Sequence, residues 1–267
     1  MRNPAYQSAE LTSLLQIATE WTVRPVDIPS SNVHPVFSKR EDLMALTSFE
    51  KLFEIAASRK GGRAAFEEML PVVKTSAEIA KVPDDRFLAT FSRGIFQTGL
   101  NWQVVENKWP GIEDALWQFD IGRCAMMSDE DLDTLLQDTR VIRHAAKLLS
   151  VRDNAVFLKD LAIEHGSAAK FFADWPVDDF IGLLSVMKKR GSRLGGSTGA
   201  YALRRLGKDS FMLGGDVTKA LIREGVVDKN PTSQRDQKAV QAAFNQWAEE
   251  SGRTLAQISR TLACTVD

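Results

Sequence analysis

Apolar side chains recur three and four residues apart along nearly the whole chain, and no stretch alternates long enough to suggest a strand. In DRFLATFSRGIFQ, Phe87, Phe91 and Ile95 share one helical face, with Asp84 as the expected cap. The same periodicity predicts helices over 8–21, 47–58, 62–81, 140–165, 167–174 and 177–189. Asn101 is placed to cap WQVVENKW, and Ser128 with Asp131 forms a capping box ahead of EDLDTLLQD. Further helices are expected from about Ser197, from Asp216 to Gly225, over QRDQKAVQAAFNQWAEES to Gly252, and over TLAQISRTLACTV. The expectation is therefore an all-α fold of two helical lobes.

Punctuation divides the chain. Residues 22–39 hold three prolines and little periodicity, the mark of a linker or surface strap. Residues 1–80 are expected to form an N-terminal helical appendage and 81–267 the main domain, with a helical hairpin at 187–206. Composition narrows the classes: 44% hydrophobic and 26% charged residues are ordinary for a soluble globular chain, and no apolar run suits a membrane span. Two cysteines and three scattered histidines offer neither a disulfide framework nor a convincing metal site, so no metal or cofactor and a cytoplasmic setting are expected. The protein is expected to be a monomer.

Charge changes the picture more. The net charge is −1, yet between Phe180 and Lys208 lie seven basic residues and no acidic one: Lys188, Lys189, Arg190, Arg193, Arg204, Arg205 and Lys208. They flank the turn Leu194-Gly195-Gly196-Ser197-Thr198-Gly199, which opens onto a helix start. Glycines let backbone approach a ligand closely, and amides at a helix N-terminus attract anions. The local chemistry is that of a phosphate-holding hairpin, and duplex DNA is the expected source of the phosphates.

Four stretches extend this to a resemblance: FQTGLNWQVVENKW at 96–109, LLQDTRVIRHAAKL at 135–148 with Asn154-Ala155, MKKRGSRLGGSTGAY at 187–201, and Phe119-Asp120. In order and spacing they resemble the DNA-3-methyladenine glycosylase I family of the helix-hairpin-helix glycosylase superfamily, over about half of the chain. The resemblance implies an enzyme that flips an alkylated purine out of duplex DNA and hydrolyses its N-glycosidic bond in base excision repair. It implies that Leu100 is a wedge filling the vacated stack. Phe96 and Trp102 would line the base pocket, where aromatic faces suit a cationic purine. Gly195, Gly196, Ser197, Thr198 and Gly199, with Lys189 and Arg190, would hold the DNA backbone. Arg143, His144 and Lys147 could track it too.

The departures are equally specific. Gly94 stands where the family has its pocket glutamate, and the family's N-terminal cysteine and tyrosine-histidine-aspartate region and its zinc ligands have no counterparts. Asp216, 17 residues past Gly199, is the candidate catalytic carboxylate, stabilising an oxocarbenium-like sugar; an ordinary helix cap explains it as well. Glu106 is a weaker candidate. The alternative function is a non-catalytic helix-hairpin-helix protein that binds distorted or damaged DNA.

Overall fold

The computed structural model describes residues 46–266. The helix expected at 8–21 and the proline-rich linker at 22–39 lie outside them. Among the described residues there are helices and connecting turns and no strand. The all-α expectation holds.

Fourteen α-helices follow one another among the described residues: α1 (Phe49–Arg59), α2 (Arg63–Glu68), α3 (Ser76–Ile79), α4 (Asp84–Gln97), α5 (Trp102–Ala115), α6 (Ile121–Ala125), α7 (Asp129–Gln137), α8 (Ala145–His165), α9 (Ala168–Asp174), α10 (Phe180–Arg190), α11 (Ser197–Leu206), α12 (Gly215–Arg223), α13 (Gln234–Ser251) and α14 (Leu255–Cys264). Helix α8 is the central post; α4, α6 and α9 pack on it, and α11 packs on α4. A second group joins α1 with α12, α13 and α14, and hairpin helix α10 touches both α11 and α13. One connected apolar core runs through both groups, with Phe87, Phe91, Phe172, Phe211, Phe244 and Trp247 fully buried in it.

Residues 46–70 belong to that core. The Phe49 amide donates to Glu250 Oε1 at 2.9 Å, the Trp247 indole donates to the Thr47 carbonyl at 3.0 Å, and Arg253 pairs with Glu67. The apolar face of α1, burying Phe49, Leu52 and Phe53, thus closes against the last two long helices.

Three elements differ from their expected form. The helix expected over 62–81 is interrupted after Glu68, because Pro71 has no amide to donate and disfavours helical geometry at the residue before it. The freed segment crosses to α11, where the Lys74 amide donates to the Gly207 carbonyl at 2.9 Å. The helix expected from 140 begins only at Ala145. Asp84 does not cap its own helix: Pro83 holds the cap position, and the Asp84 carboxylate accepts from the Ala168 and Ala169 amides at 3.0 and 2.9 Å. It caps α9 from another part of the chain. Asp209 does the same for α14, accepting from Leu255 and Ala256 at 3.0 and 2.9 Å.

Candidate nucleic-acid interface

Two turns meet on one face. The first, Thr98-Gly99-Leu100, leaves α4 and enters α5; Gly99 takes a positive φ of 72°, and Asn101 caps α5 by accepting from the Gln103 amide at 2.9 Å. The second is the hairpin turn between α10 and α11. Ile95 and Thr98 from the first side line one depression of about 300 Å³ with Arg193, Gly195 and Thr198 from the second.

The hairpin turn is tightly built. A Cβ at Gly199 would sit 2.5 Å from the Leu194 carbonyl oxygen, and one at Gly191 would sit 2.7 Å from that of Met187. Both glycines are required by close backbone approach. Gly196 has a φ of 60°, a left-handed conformation open to glycine, and Arg193 adopts φ 59° despite its side chain. The fully buried Asn154 of α8 holds the turn from beneath, its amide donating to the Ser192 carbonyl at 3.0 Å and its Oδ1 accepting from the Ser192 amide at 2.8 Å. Arg193 Nε donates to the Ala146 carbonyl at 3.1 Å. With the turn anchored, Gly196 and Ser197 are exposed at the start of α11, Gly195 and Thr198 are partly so, and Gly199 is buried.

The basic residues separate into two kinds. Lys188 and Lys189 at the end of α10, Arg193 in the hairpin turn and Arg143 just before α8 are all exposed. Arg190, also exposed, makes a two-pronged pair with Glu164 at 2.8 and 2.7 Å and lies over the Phe157 ring. Arg204 bonds to Ser210, and buried Lys208 donates to the Trp175 carbonyl at 2.8 Å beyond the end of α9. Burial pushes the pKa of Lys208 and of Arg204 below their ordinary values. Lys147, taken from the sequence as a backbone-tracking residue, points inward: its ammonium donates to the carbonyls of Phe96 and Thr98 at 3.1 and 2.5 Å.

Trp102 and Phe96 also part company. Phe96 is fully buried, whereas Trp102 is 53% exposed, close to Leu100 at 40% and Val104 at 46%. The Trp102 ring packs edge-on against Tyr201 of α11, with centroids 6.3 Å apart, and the Arg205 guanidinium lies 5.3 Å from its centre. Burial, then the nearby charge of Arg93, holds the Arg205 pKa below its ordinary value. Beneath this, Glu106 pairs with Arg93 at 2.8 Å and accepts from Gln97 Nε2 at 2.7 Å, while Arg93 stacks on Trp109. Gln97 Oε1 and Arg93 Nε are buried without a partner. Sequence reasoning had no signal for Arg93, Gln97 and Tyr201, which are brought together across helices.

Asp216 lies elsewhere. Gly214 holds the cap position of α12, so Asp216 sits inside the first turn, its side chain exposed and 3.4 Å from Lys219. It lines a separate depression of about 380 Å³ with residues that include Met69, Arg204, Met212, Ser259 and Arg260, and with neither Trp102 nor Thr98. Among the described residues no cluster of histidine, cysteine and carboxylate side chains could hold a metal ion.

Residues 81–180 match the family model described as methyladenine glycosylase. Over this stretch, which is less than half of the chain, the sequence is similar to that family. It is 37% identical over 59 residues to DNA-3-methyladenine glycosylase 1 of Escherichia coli (strain K12), covering 22% of this chain and 32% of the relative. It is 39% identical over 59 residues to DNA-3-methyladenine glycosylase of Haemophilus influenzae, with the same shares of 22% and 32%. The chain thus spans about a third of the length of these curated relatives. Among solved structures, a crystal structure of 3-methyladenine DNA glycosylase I aligns at a TM-score of 0.42 with 24% identity, over 54% of this chain and 87% of that one. A mutant of 3-methyladenine DNA glycosylase I from Staphylococcus aureus aligns at 0.40 with 20% identity, over 58% and 90%.

The matched stretch covers α4 to α9 and the first turn and ends where α10 begins; the hairpin turn lies beyond α10, outside it. Gly94, on α4 within it, faces the start of α11: a Cβ there would meet Thr198 Cγ2 at 3.5 Å and the Thr198 carbonyl oxygen at 3.8 Å. A methyl group fits; a longer side chain would have to pass Thr198 between the two helices.

Proposed function

We propose that this protein belongs to the methyladenine glycosylase family and is a monofunctional DNA N-glycosylase that releases a 3-methyladenine-like alkylated purine from duplex DNA. The observation that carries the reading is the meeting of the two turns. The apolar first turn, with Leu100 and Trp102 exposed, shares a depression with the hairpin turn, whose rim is cationic. That pairing suits a duplex held by its phosphates and opened at one base step. Leu100 fills the vacated stack, and the flipped base lies against Trp102 and Tyr201.

The chemistry suits a site without a dedicated acid. An alkylated purine already carries positive charge, so its bond to the sugar breaks with the base leaving neutral and no proton supplied. What the protein must contribute is extrusion, orientation and a water for the sugar cation. Glu106 is the carboxylate nearest Trp102 along the chain, and Arg93 already pairs with it. Asp216 faces another depression, and we assign it no contact with the base. Chromatography of duplex DNA treated with a methylating agent tests the reading: free methylated purine should appear with the protein and not without it. Intact DNA despite tight binding would sink it.

That outcome would favour the second reading, a binder of distorted DNA without chemistry, for which Gly94 in the place of the family glutamate speaks. In that case the hairpin and wedge still distinguish damaged from undamaged duplex.

A further inference from the structure

Lys147 is 6% exposed, and among the described residues no carboxylate pairs with it. Burial is the main cause of its lowered pKa, and the Arg193 guanidinium adds to it. A buried ammonium without a counter-ion is costly, and a methionine would fill comparable space without that cost. What the ammonium does is specific: two of its three donors go to the carbonyls of Phe96 and Thr98, at the C-terminal end of α4. These are the last residues before Gly99 and Leu100, where the orphan carbonyls of a helix end carry partial negative charge. Between them, Gln97 is tied by its side chain to Glu106 of α5.

The next residue of α8 on the N-terminal side faces the other turn. The Ala146 carbonyl accepts from Arg193 of the hairpin, and Asn154, two turns further along α8, grips Ser192. The first half of α8 therefore joins both turns, Lys147 holding one while Ala146 and Asn154 hold the other. We infer that Lys147 is the positioning residue that fixes the Thr98–Leu100 turn relative to the hairpin, so that Leu100 meets an opened base step while the hairpin holds the flanking phosphates. The inference rests on the proposed role of Leu100 as wedge.

The test uses the full chain and two duplexes of one sequence, one undamaged and one carrying a tetrahydrofuran abasic analogue beside 2-aminopurine. Wild type should prefer the abasic duplex by about tenfold or more and raise the 2-aminopurine fluorescence on binding. Lys147→Met should lose most of that preference and the fluorescence change, while its affinity for undamaged duplex stays within about twofold, because the hairpin contacts remain. Leu100→Ala should cost little further in the Lys147→Met background, since the two residues act as a unit. A folded Lys147→Met that keeps the preference, or additive losses with Leu100→Ala, overturns the inference. If Lys147→Met does not fold, Lys147→Gln replaces it in the same cycle: its shorter, neutral amide cannot reproduce both bonds, so the preference should fall and Leu100→Ala should again cost little further; a kept preference or additive losses overturn the inference. A wild type with no preference at all removes the wedge reading itself, and the inference with it.

Discussion

Trp102 is a half-exposed aromatic beside a charged cluster, a position that burial alone does not reward. Its ring already has Arg205 near its face and Tyr201 at its edge. A cationic purine would compete with that guanidinium, so binding requires Arg205 to shift or the base to take the opposite face. Stacking of a base on an aromatic side chain is worth ~1–3 kcal/mol. Trp102→Ala should therefore slow base release about tenfold or more, and Trp102→Phe much less, in single-turnover assays; equal rates would remove Trp102 from the pocket. Cys124 offers a check on the core at the same scale. Buried, with its thiol 3.6 Å from the Leu116 carbonyl, it has its pKa pushed up to about 12, chiefly by desolvation. The thiolate is the reactive form, so native protein at pH 8 should resist alkylation at Cys124 until denatured; rapid native labelling would contradict its burial. Residue roles were only partly legible in the sequence. Leu100 and Trp102 stand out because they are apolar beside a turn. Lys147 read as one more surface cation, because a single letter does not say which side of a helix faces the core.

At the scale of elements, the hairpin depends on backbone contact more than on its charges. Gly199→Ala places a methyl 2.5 Å from the Leu194 carbonyl oxygen, which cannot yield without opening the turn. A loss of ~1–3 kcal/mol is expected in denaturant unfolding, with DNA affinity falling too. Gly215→Ala is the control, since a Cβ at this first residue of α12 meets nothing within 4 Å and its φ is not positive. Similar losses in the two variants would contradict the close-approach argument. Asp209→Ala removes both bonds that cap α14 from across the chain, and a cost of ~1–2 kcal/mol with little change in DNA affinity is expected. Helix positions were legible where periodicity ran with local caps, as at Ser128 and Asn101. The position of α4 was legible too, but not the distant role of Asp84, which caps α9; a position failed where one residue overrode the pattern, as Pro71 does between α2 and α3.

For the whole molecule, the net charge of −1 conceals a cationic face around Lys188, Lys189, Arg193 and Arg143. Electrostatic affinity should follow that face and not the total. Each phosphate neutralised contributes ~0.9 to the fall of log affinity with log salt. Replacing Lys188 and Lys189 together by glutamine should therefore flatten the salt dependence by up to about two units; an unchanged slope would move the interface elsewhere. The sequence overstated this face. Of its seven basic residues near the hairpin, Arg190, Arg204 and Lys208 are engaged by Glu164, Ser210 and the Trp175 carbonyl. The central claim remains excision. A duplex with one defined methylated purine, incubated with excess protein and then cleaved by hot alkali at any abasic site, tests it most directly. The account predicts scission at the lesion with wild type, strongly reduced with Trp102→Ala and Leu100→Ala. An intact strand under conditions where wild type is fully bound to the duplex would contradict it.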